Sequence, residues 1–341
     1  MGRRTVYNKL TEVDSIDTIS KKNRELLLAF LDYCTINNKA PQTVKQYRAQ
    51  LLVFFVWNKE HNGDKFFVNL RKRELIEFFA YGRLQLKWSP NRLASFKAVL
   101  SSLSMYIERV YDEEYPTFRN LIPSLGPITI TQVREKTVLG KEEVEQTLYV
   151  LVRMGKIQEA CWFALLYSSG MRKSEVAQMQ VDFFVPENTI CDIMYKTPPI
   201  RTKGRGEEGK VVPRYVFIYT FQPYLEKWLK KREELGITNK ELFVVKRNGE
   251  WVPAKISTFN SWASFIGTVM GKDFYCHSLR HAWTTELKRG GYPSSIIQKL
   301  QNWASADMVE VYSDIGGEEE IENFFTQMKK EKELKEDNGD N

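Results

Sequence analysis

The chain has only three histidines and four cysteines in its 341 residues. Cys34, Cys161, Cys191 and Cys276 are widely scattered and form no CxxC pair, so they read as reduced thiols rather than a disulfide framework. No apolar run approaches the roughly 20 residues of a membrane-spanning helix, and the opening MGRRTVYNKLTEVD lacks the apolar core of a signal peptide. Gly2 does not open a myristoylation signal, because Val6 and Tyr7 leave its hydroxyl position unmatched. These absences lead to the expectation of a soluble, cytoplasmic protein with no membrane partner. Disorder is excluded by the 43% hydrophobic and 13% aromatic content, and the length allows two domains, each with its own core.

Charge is unevenly placed. The net value is +7, yet residues 318–341 hold nine acids and four lysines, −5, so the rest of the chain carries +12. Such an excess calls for a polyanionic partner, although charge alone suits RNA or a membrane surface as well as DNA.

The first 19 residues are polar and are expected to form a mobile N-terminal segment. Leu26, Leu27, Phe30, Leu31 and Cys34 then keep helical spacing from Lys21 to about Asn37. A second helix is predicted from Ala40-Pro41 with the stripe Tyr47, Leu51, Phe54, Phe55. A third runs from about Arg73 to Leu84 with Leu75, Ile76, Phe78, Phe79 and Tyr81, and a fourth opens at Ser89-Pro90 with Leu93, Phe96, Leu100, Leu103 and Tyr106. Four amphipathic helices with short connections make a bundle over about 20–125. Its aromatics follow the helical period and so belong to a core rather than to base-stacking platforms. The outward basic residues, Lys45, Arg48, Arg71, Lys72, Arg73, Arg83, Lys87, Arg92 and Lys97, read either as a solvated face or as a phosphate-binding one.

The proline- and glycine-bearing stretch from Ile122 to Thr137 has no helical stripe and suits an interdomain linker, set at 126–137. The second domain, 138–315, is expected to be mainly helical with a small antiparallel sheet. Ile190–Tyr195 and Val211–Tyr219 alternate as strands around a long loop, KTPPIRTKGRGEEGK, and Glu241–Val245 suits one more. Helices are predicted over Lys156–Tyr167, Gln222–Glu234 and Ser257–Met270.

Two motifs in this half fail on context. Gly204–Lys210, GRGEEGK, fits both G-x-x-x-x-G-K and G-x-G-x-x-G, but Val211 replaces the magnesium-binding Ser or Thr, a strand follows where a helix should, and two glutamates would repel phosphate. A flexible hairpin tip explains it better. His277 and His281 could be two zinc ligands on one helical turn, yet Ser278 stands where a zincin has Glu and no third His or paired Cys is near. No metal and no cofactor is expected.

The stretch Phe274–Ile315 gathers chemistry of another kind. His277, Arg280 and His281 at i, i+3 and i+4 share one helix face and can converge on a small anion. Gly290-Gly291 and Pro293 close that helix. Trp303 follows, and Tyr312 comes nine residues later. Upstream, Arg172 precedes Glu175 by three residues in Tyr167–Glu175, and Lys203 lies in the predicted hairpin. An HxxR or RxxE alone is close to noise, but the ordered set resembles the tyrosine site-specific recombinases, the phage integrase family. Many members carry His where this chain has Trp303, a departure from the commonest pattern. An indole Nε1 can donate a hydrogen bond but cannot transfer a proton, so Trp303 would position and pack.

The resemblance implies a core-binding helical bundle ahead of a mixed α/β catalytic domain, and double-stranded DNA bearing specific sites as partner. It also implies a DNA-bound homotetramer, with room for an accessory directionality factor. It makes Tyr312 the nucleophile that forms a 3′-phosphotyrosyl ester, resolved by a 5′ hydroxyl of a partner strand in the integration or excision of a mobile element. Arg172 and Arg280 are planar forks suited to a phosphate. His277 could take the phenol proton or hydrogen-bond the transition state, Lys203 (with Lys210 competing) could protonate the leaving oxygen, and Glu175 would tune the site while His281 is structural. The alternatives are a type IB topoisomerase-like enzyme and an inactive DNA-binding regulator of the same fold. In the acidic tail, Ile321, Phe324, Phe325 and Met328 share one helical face after Gly316-Gly317, which either packs on its own domain or docks on a neighbouring protomer.

Overall fold

A computed structural model of the protein describes residues 16–128, 139–204 and 209–313, with Glu322, Phe325, Thr326 and Lys329 beyond them. The residues group into two compact units, Met1–Glu135 with Lys203–Gly209, and Lys136–Thr202 with Lys210–Asn341.

Among the described residues of the first unit lie the helices α1 Lys21–Ile36, α2 Pro41–Asn62, α3 Lys72–Leu84 and α4 Pro90–Val110. Pro41 and Pro90 open α2 and α4, where the fixed φ suits the first turn and the missing N–H would have had no partner. Phe30, Leu51, Phe54, Phe55, Phe78, Phe96, Leu100 and Leu103 meet in the core. Each such side chain contributes roughly 1.5–3 kcal/mol when fully buried. Phe54 meets Phe78 edge-on with centroids 5.0 Å apart, and Trp88 stacks on Phe96 at 4.5 Å, so the aromatics do form the core that their period predicts. Ile76 departs from that expectation and is exposed, because it lies one residue off the Leu75–Phe78 stripe. Ile122, on the bundle side of the linker boundary set at 126, is buried in this core beside Leu121 and Leu125, with a short 3-10 turn over Pro123–Leu125. The rest of the expected linker beyond Ile128 falls outside the described residues.

The second unit opens with α5 Lys141–Arg153, α6 Ile157–Ser169 and the single turn α7 Lys173–Val176. Ala160 to Leu166 of α6 are all buried, and such a helix, apolar on every side, must be surrounded. It packs against α5, against α8 Ile218–Glu234 and against α10 Cys276–Arg289.

The sheet region differs from the expected pair of long strands. Short strands β1 Thr189–Ile190 and β2 Met194–Lys196 pair across a reversal in which Cys191 and Asp192 take left-handed φ of 50° and 55°. Six alternating residues thus hide a turn. β2 continues onto β5 Tyr215–Phe217, and β3 Ile200–Thr202 pairs β4 Lys210–Val212. Pro198, Pro199 and Pro213 interrupt this ladder because they lack the N–H to continue it. The predicted long loop therefore holds a second tier of hairpin, and the last two residues of the second predicted strand, Ile218 and Tyr219, begin α8. The expected strand at 241–245 begins at Val244, as β6 Val244–Arg247 turns at Asn248-Gly249 into β7 Glu250–Pro253. α9 Ile256–Met270, α10, α11 Ser294–Gln301 and α12 Asp307–Tyr312 complete the described fold. The tail helix expected over 316–341 lies outside the described residues, apart from Glu322, Phe325, Thr326 and Lys329, of which Phe325 is exposed.

Candidate active site

The site in the second unit is assembled from chain ends. α6 stops at Gly170, whose φ of 58° is left-handed. A Cβ there would lie 2.4 Å from Gln301 Nε2 and 3.1 Å from the Trp283 ring, so both backbone and space require glycine. The bend delivers Arg172 as the cap of α7. Glu175, three residues on, reaches back: Oε2 accepts from the Arg172 backbone N–H at 2.9 Å and Oε1 from Arg172 Nη1 at 2.9 Å. The i+3 acid of the motif thus caps the helix and fixes the guanidinium at once. Burial works to raise the Glu175 pKa, but Arg214, the Arg172 N–H and guanidinium, and Arg280 outweigh it and hold the carboxyl below the usual range.

Helix α10 supplies the opposite wall. Arg280 is wholly buried and donates from Nη1 to the Gly170 carbonyl at 2.8 Å. Its Nε and Nη2, with Trp303 Nε1, have no hydrogen-bond partner among the described residues. Burial, then the charges of Arg172 and Arg214, pull the Arg280 guanidinium down to about 9. A site with buried donors and a surplus of like charge binds an anion favourably, since the anion relieves both costs.

Tyr312, the last residue of α12, lies within this wall. Its hydroxyl is 2.7 Å from His277 Nε2, its ring stacks on Trp303 with centroids 4.9 Å apart, and the Arg280 guanidinium sits 5.3 Å from the ring centre. His281 Nδ1 lies 3.1 Å from the Tyr312 carbonyl oxygen, which anchors the backbone of that residue. Trp303, Val309 and Tyr312 form a small apolar cluster with Trp283, Leu287 and Ile297. Lys288 secures the same helix from outside by donating to Glu310 at 2.9 and 3.0 Å.

His277 is crowded by its neighbours yet exposed along one edge. Desolvation, then the charges of Arg280, His281 and Arg172, lower its pKa to about 4, with water at the open edge moderating the drop. Near pH 7 the ring is neutral and Nε2 can accept the phenol proton. Between the ordinary value of 6.5 and about 4 the unfolded chain binds a proton that the folded chain refuses. The parent should therefore lose stability relative to His277→Gln as pH falls through that window, and His277 should make no pH-dependent difference above it. Urea midpoints of the two proteins at about pH 7 and about pH 4.5 measure this; a gap that stays constant contradicts the assignment.

Arg172, Glu175, His277, Arg280, Trp303 and Tyr312 are thus brought together. Lys203 is the first residue after β3, exposed, and groups with the other unit. Lys210 opens β4 and donates to Asn302 Oδ1. Of the basic residues on the bundle, Lys45, Arg48, Arg71, Arg73, Arg83 and Lys87 are exposed. Arg73 pairs with Glu77 and Arg83 donates to the Trp88 carbonyl. Arg92 lies over the Trp88 ring and Lys97 donates to the Gly126 carbonyl, so these last two also hold the bundle together. Sequence reasoning missed Arg214 and Gln301, both buried behind the site, although Arg214 shares its strand's inward parity with Val216, an unusual place for a lone charge.

Comparison with known proteins places residues 137–318 in the phage integrase family and 26–117 in the phage integrase N-terminal SAM-like domain. The chain is similar to tyrosine recombinase XerA of Pyrococcus horikoshii, 23% identical over 297 residues that span 86% of this chain and 90% of that protein. It is also similar to tyrosine recombinase XerD of Yersinia pestis, 21% identical over 309 residues, 88% and 96% of the two chains. Among solved structures, XerH recombinase bound to a palindromic difH substrate matches with a TM-score of 0.65 at 19% identity, over 85% of this chain and 92% of that one. The Tn1549 transposon integrase in complex with circular intermediate DNA matches with a TM-score of 0.64 at 13% identity, over 89% and 98%. A lambda integrase tetramer bound to a Holliday junction matches at 0.60 with 14% identity, over 85% and 76%.

Proposed function

The chain belongs to the phage integrase family, and on that premise we propose that it is a site-specific DNA recombinase that cuts and rejoins strands through a 3′-phosphotyrosyl intermediate. The observation that carries the reading is the 2.7 Å contact between His277 Nε2 and the Tyr312 hydroxyl, beside the unpartnered donors of Arg280 and Trp303. The scissile phosphate lies against these donors. Arg172, held by Glu175, and Arg280 neutralise its nonbridging oxygens, and the charge that grows there in the transition state meets donors already in place. Tyr312 gives its proton to neutral His277 and attacks phosphorus, while the 5′ oxygen leaves with a proton from Lys203. Bond energy is kept in the phosphotyrosyl ester, whose phenol is a workable leaving group for the reverse step. Attack by a 5′ hydroxyl from a second duplex then exchanges strands.

The relatives named as recombinases, together with the DNA-bound and tetrameric states of the matched structures, support the reading of double-stranded DNA and a homotetramer as this chain's working form. The exposed bases of the bundle hold phosphates of the duplex, and the acidic tail docks on a neighbouring protomer. The recombination serves to integrate or excise a mobile element. A two-plasmid assay with candidate sites tests the reading: recombinant products are expected, whereas relaxed plasmids without exchange would make the enzyme a topoisomerase.

Lys203 and Lys210 compete for the role of general acid because they flank one hairpin tip. Lys203→Ala should cleave poorly on ordinary DNA and recover on a substrate whose 5′ bridging oxygen is sulfur, a leaving group that needs no proton. Rescue of Lys210→Ala instead assigns the role to the other lysine.

A further inference from the structure

Behind the phosphate-facing groups lies a second, wholly buried layer. Arg214, 1% exposed, stands between Pro213 and β5, where burial disfavours its charge and a close carboxylate does most to restore it. That carboxylate is Glu175, with Oε2 3.5 Å from Arg214 Nε. The other end of the fork is committed as well. Nη2 donates to Gln301 Oε1 at 2.9 Å and Nη1 to the Gln301 carbonyl at 3.2 Å, while Gln301 Nε2 donates to the Ser169 carbonyl at 2.8 Å. Ser169 and Gly170 form the bend that sets Arg172, the Gly170 carbonyl holds Arg280, and Trp303 follows Gln301 by two residues.

We propose that Arg214, acting with Gln301, is the positioning residue that locks the Arg172–Glu175 pair to the chain segment bearing Trp303, so that both sides of the phosphate site are set by one buried guanidinium. Arginine suits the place, since two hydrogen bonds to Gln301 and an ion pair to Glu175 from one rigid plane exceed what a flexible ammonium holds. Glu175 then faces the Arg172 guanidinium on Oε1, while Oε2 is shared by the Arg172 backbone N–H and Arg214. Without Arg214 the carboxylate is held by Arg172 alone, and the Arg172–Glu175 pair is no longer tied through Gln301 to the segment bearing Trp303. This rests on the recombinase reading, and parental protein in every assay separates the two.

The test compares parent, Arg214→Lys and Gln301→Met for DNA affinity, thermal stability and single-turnover formation of the covalent adduct. Each is run on a normal scissile phosphate and on a neutral methylphosphonate in its place. If the parent forms no adduct, the functional reading itself fails. With an active parent, Arg214→Lys should bind DNA within about threefold and cleave on the order of 10²-fold more slowly, the scale of a misplaced catalytic group. On the methylphosphonate, which presents less charge for Arg172 to neutralise, the ratio of parent to variant should shrink to under about tenfold. A variant that merely loosens the fold would lower both substrates equally, and that result overturns the proposal, as does parental cleavage of the normal phosphate. Should Arg214→Lys fail to fold, Gln301→Met carries the same comparison, and the same results support or overturn the proposal.

Discussion

Tyr312→Phe is expected to bind DNA like the parent and to form no denaturation-resistant adduct with it. The substitution removes one oxygen from a ring that keeps its contacts with Trp303, Arg280 and His281, so the small cluster around Trp283 and Val309 should survive. The sole hydrogen bond shown for the hydroxyl, to His277, contributes about 1 kcal/mol to stability. The chemical effect is complete by contrast, because no other nucleophile stands at His277 Nε2 among the described residues. Adduct yield after denaturation, read beside a binding isotherm, measures it. Parental yield from the variant removes Tyr312 from the reaction.

Arg280→Lys should lower the rate of cleavage by roughly 10²–10³-fold, the loss that follows removal of a preorganised donor to a developing oxyanion. In the proposed mechanism Arg280 serves two partners at once, with Nη1 on the Gly170 carbonyl and the unpartnered Nε and Nη2 turned to phosphate. An ammonium can serve one of them. If it stays at Gly170, phosphate loses its donors; if it turns to phosphate, a buried carbonyl is orphaned at a cost of about 1–3 kcal/mol. DNA affinity should change far less than rate, since many phosphates along the duplex share the binding. Single-turnover cleavage at saturating DNA separates these effects, and an unchanged rate in Arg280→Lys would remove the guanidinium from the transition state.

The helices of the first unit are legible in the sequence because each closes its apolar stripe within a few turns, as at Phe78 and Phe96. The face carrying His277, Arg280 and His281 is legible for the same reason, being set by local helical period. What escapes depends on residues far apart in the chain. Arg214 and Gln301 acquire meaning only when they meet across 87 residues, and Gln301 with Ser169 across 132. The reversal at Cys191-Asp192 escapes because its left-handed residues include no glycine, the usual sign of such a turn. Trp303 and Tyr312 are core residues as well as site residues. Both are packed in an apolar cluster, and that packing holds the phenol beside His277.

The most direct measurement is a covalent trap on a nicked duplex carrying a recombination site, in which the short strand beyond the cut diffuses away and prevents rejoining. Digestion of the trapped complex, followed by mass spectrometry of the peptide that bears nucleotide, should find the DNA 3′ phosphate on Tyr312, within the α12 segment Asp307–Tyr312. A 5′ linkage, or nucleotide attached to any other residue, contradicts the assignment of Tyr312 and the mechanism built on it.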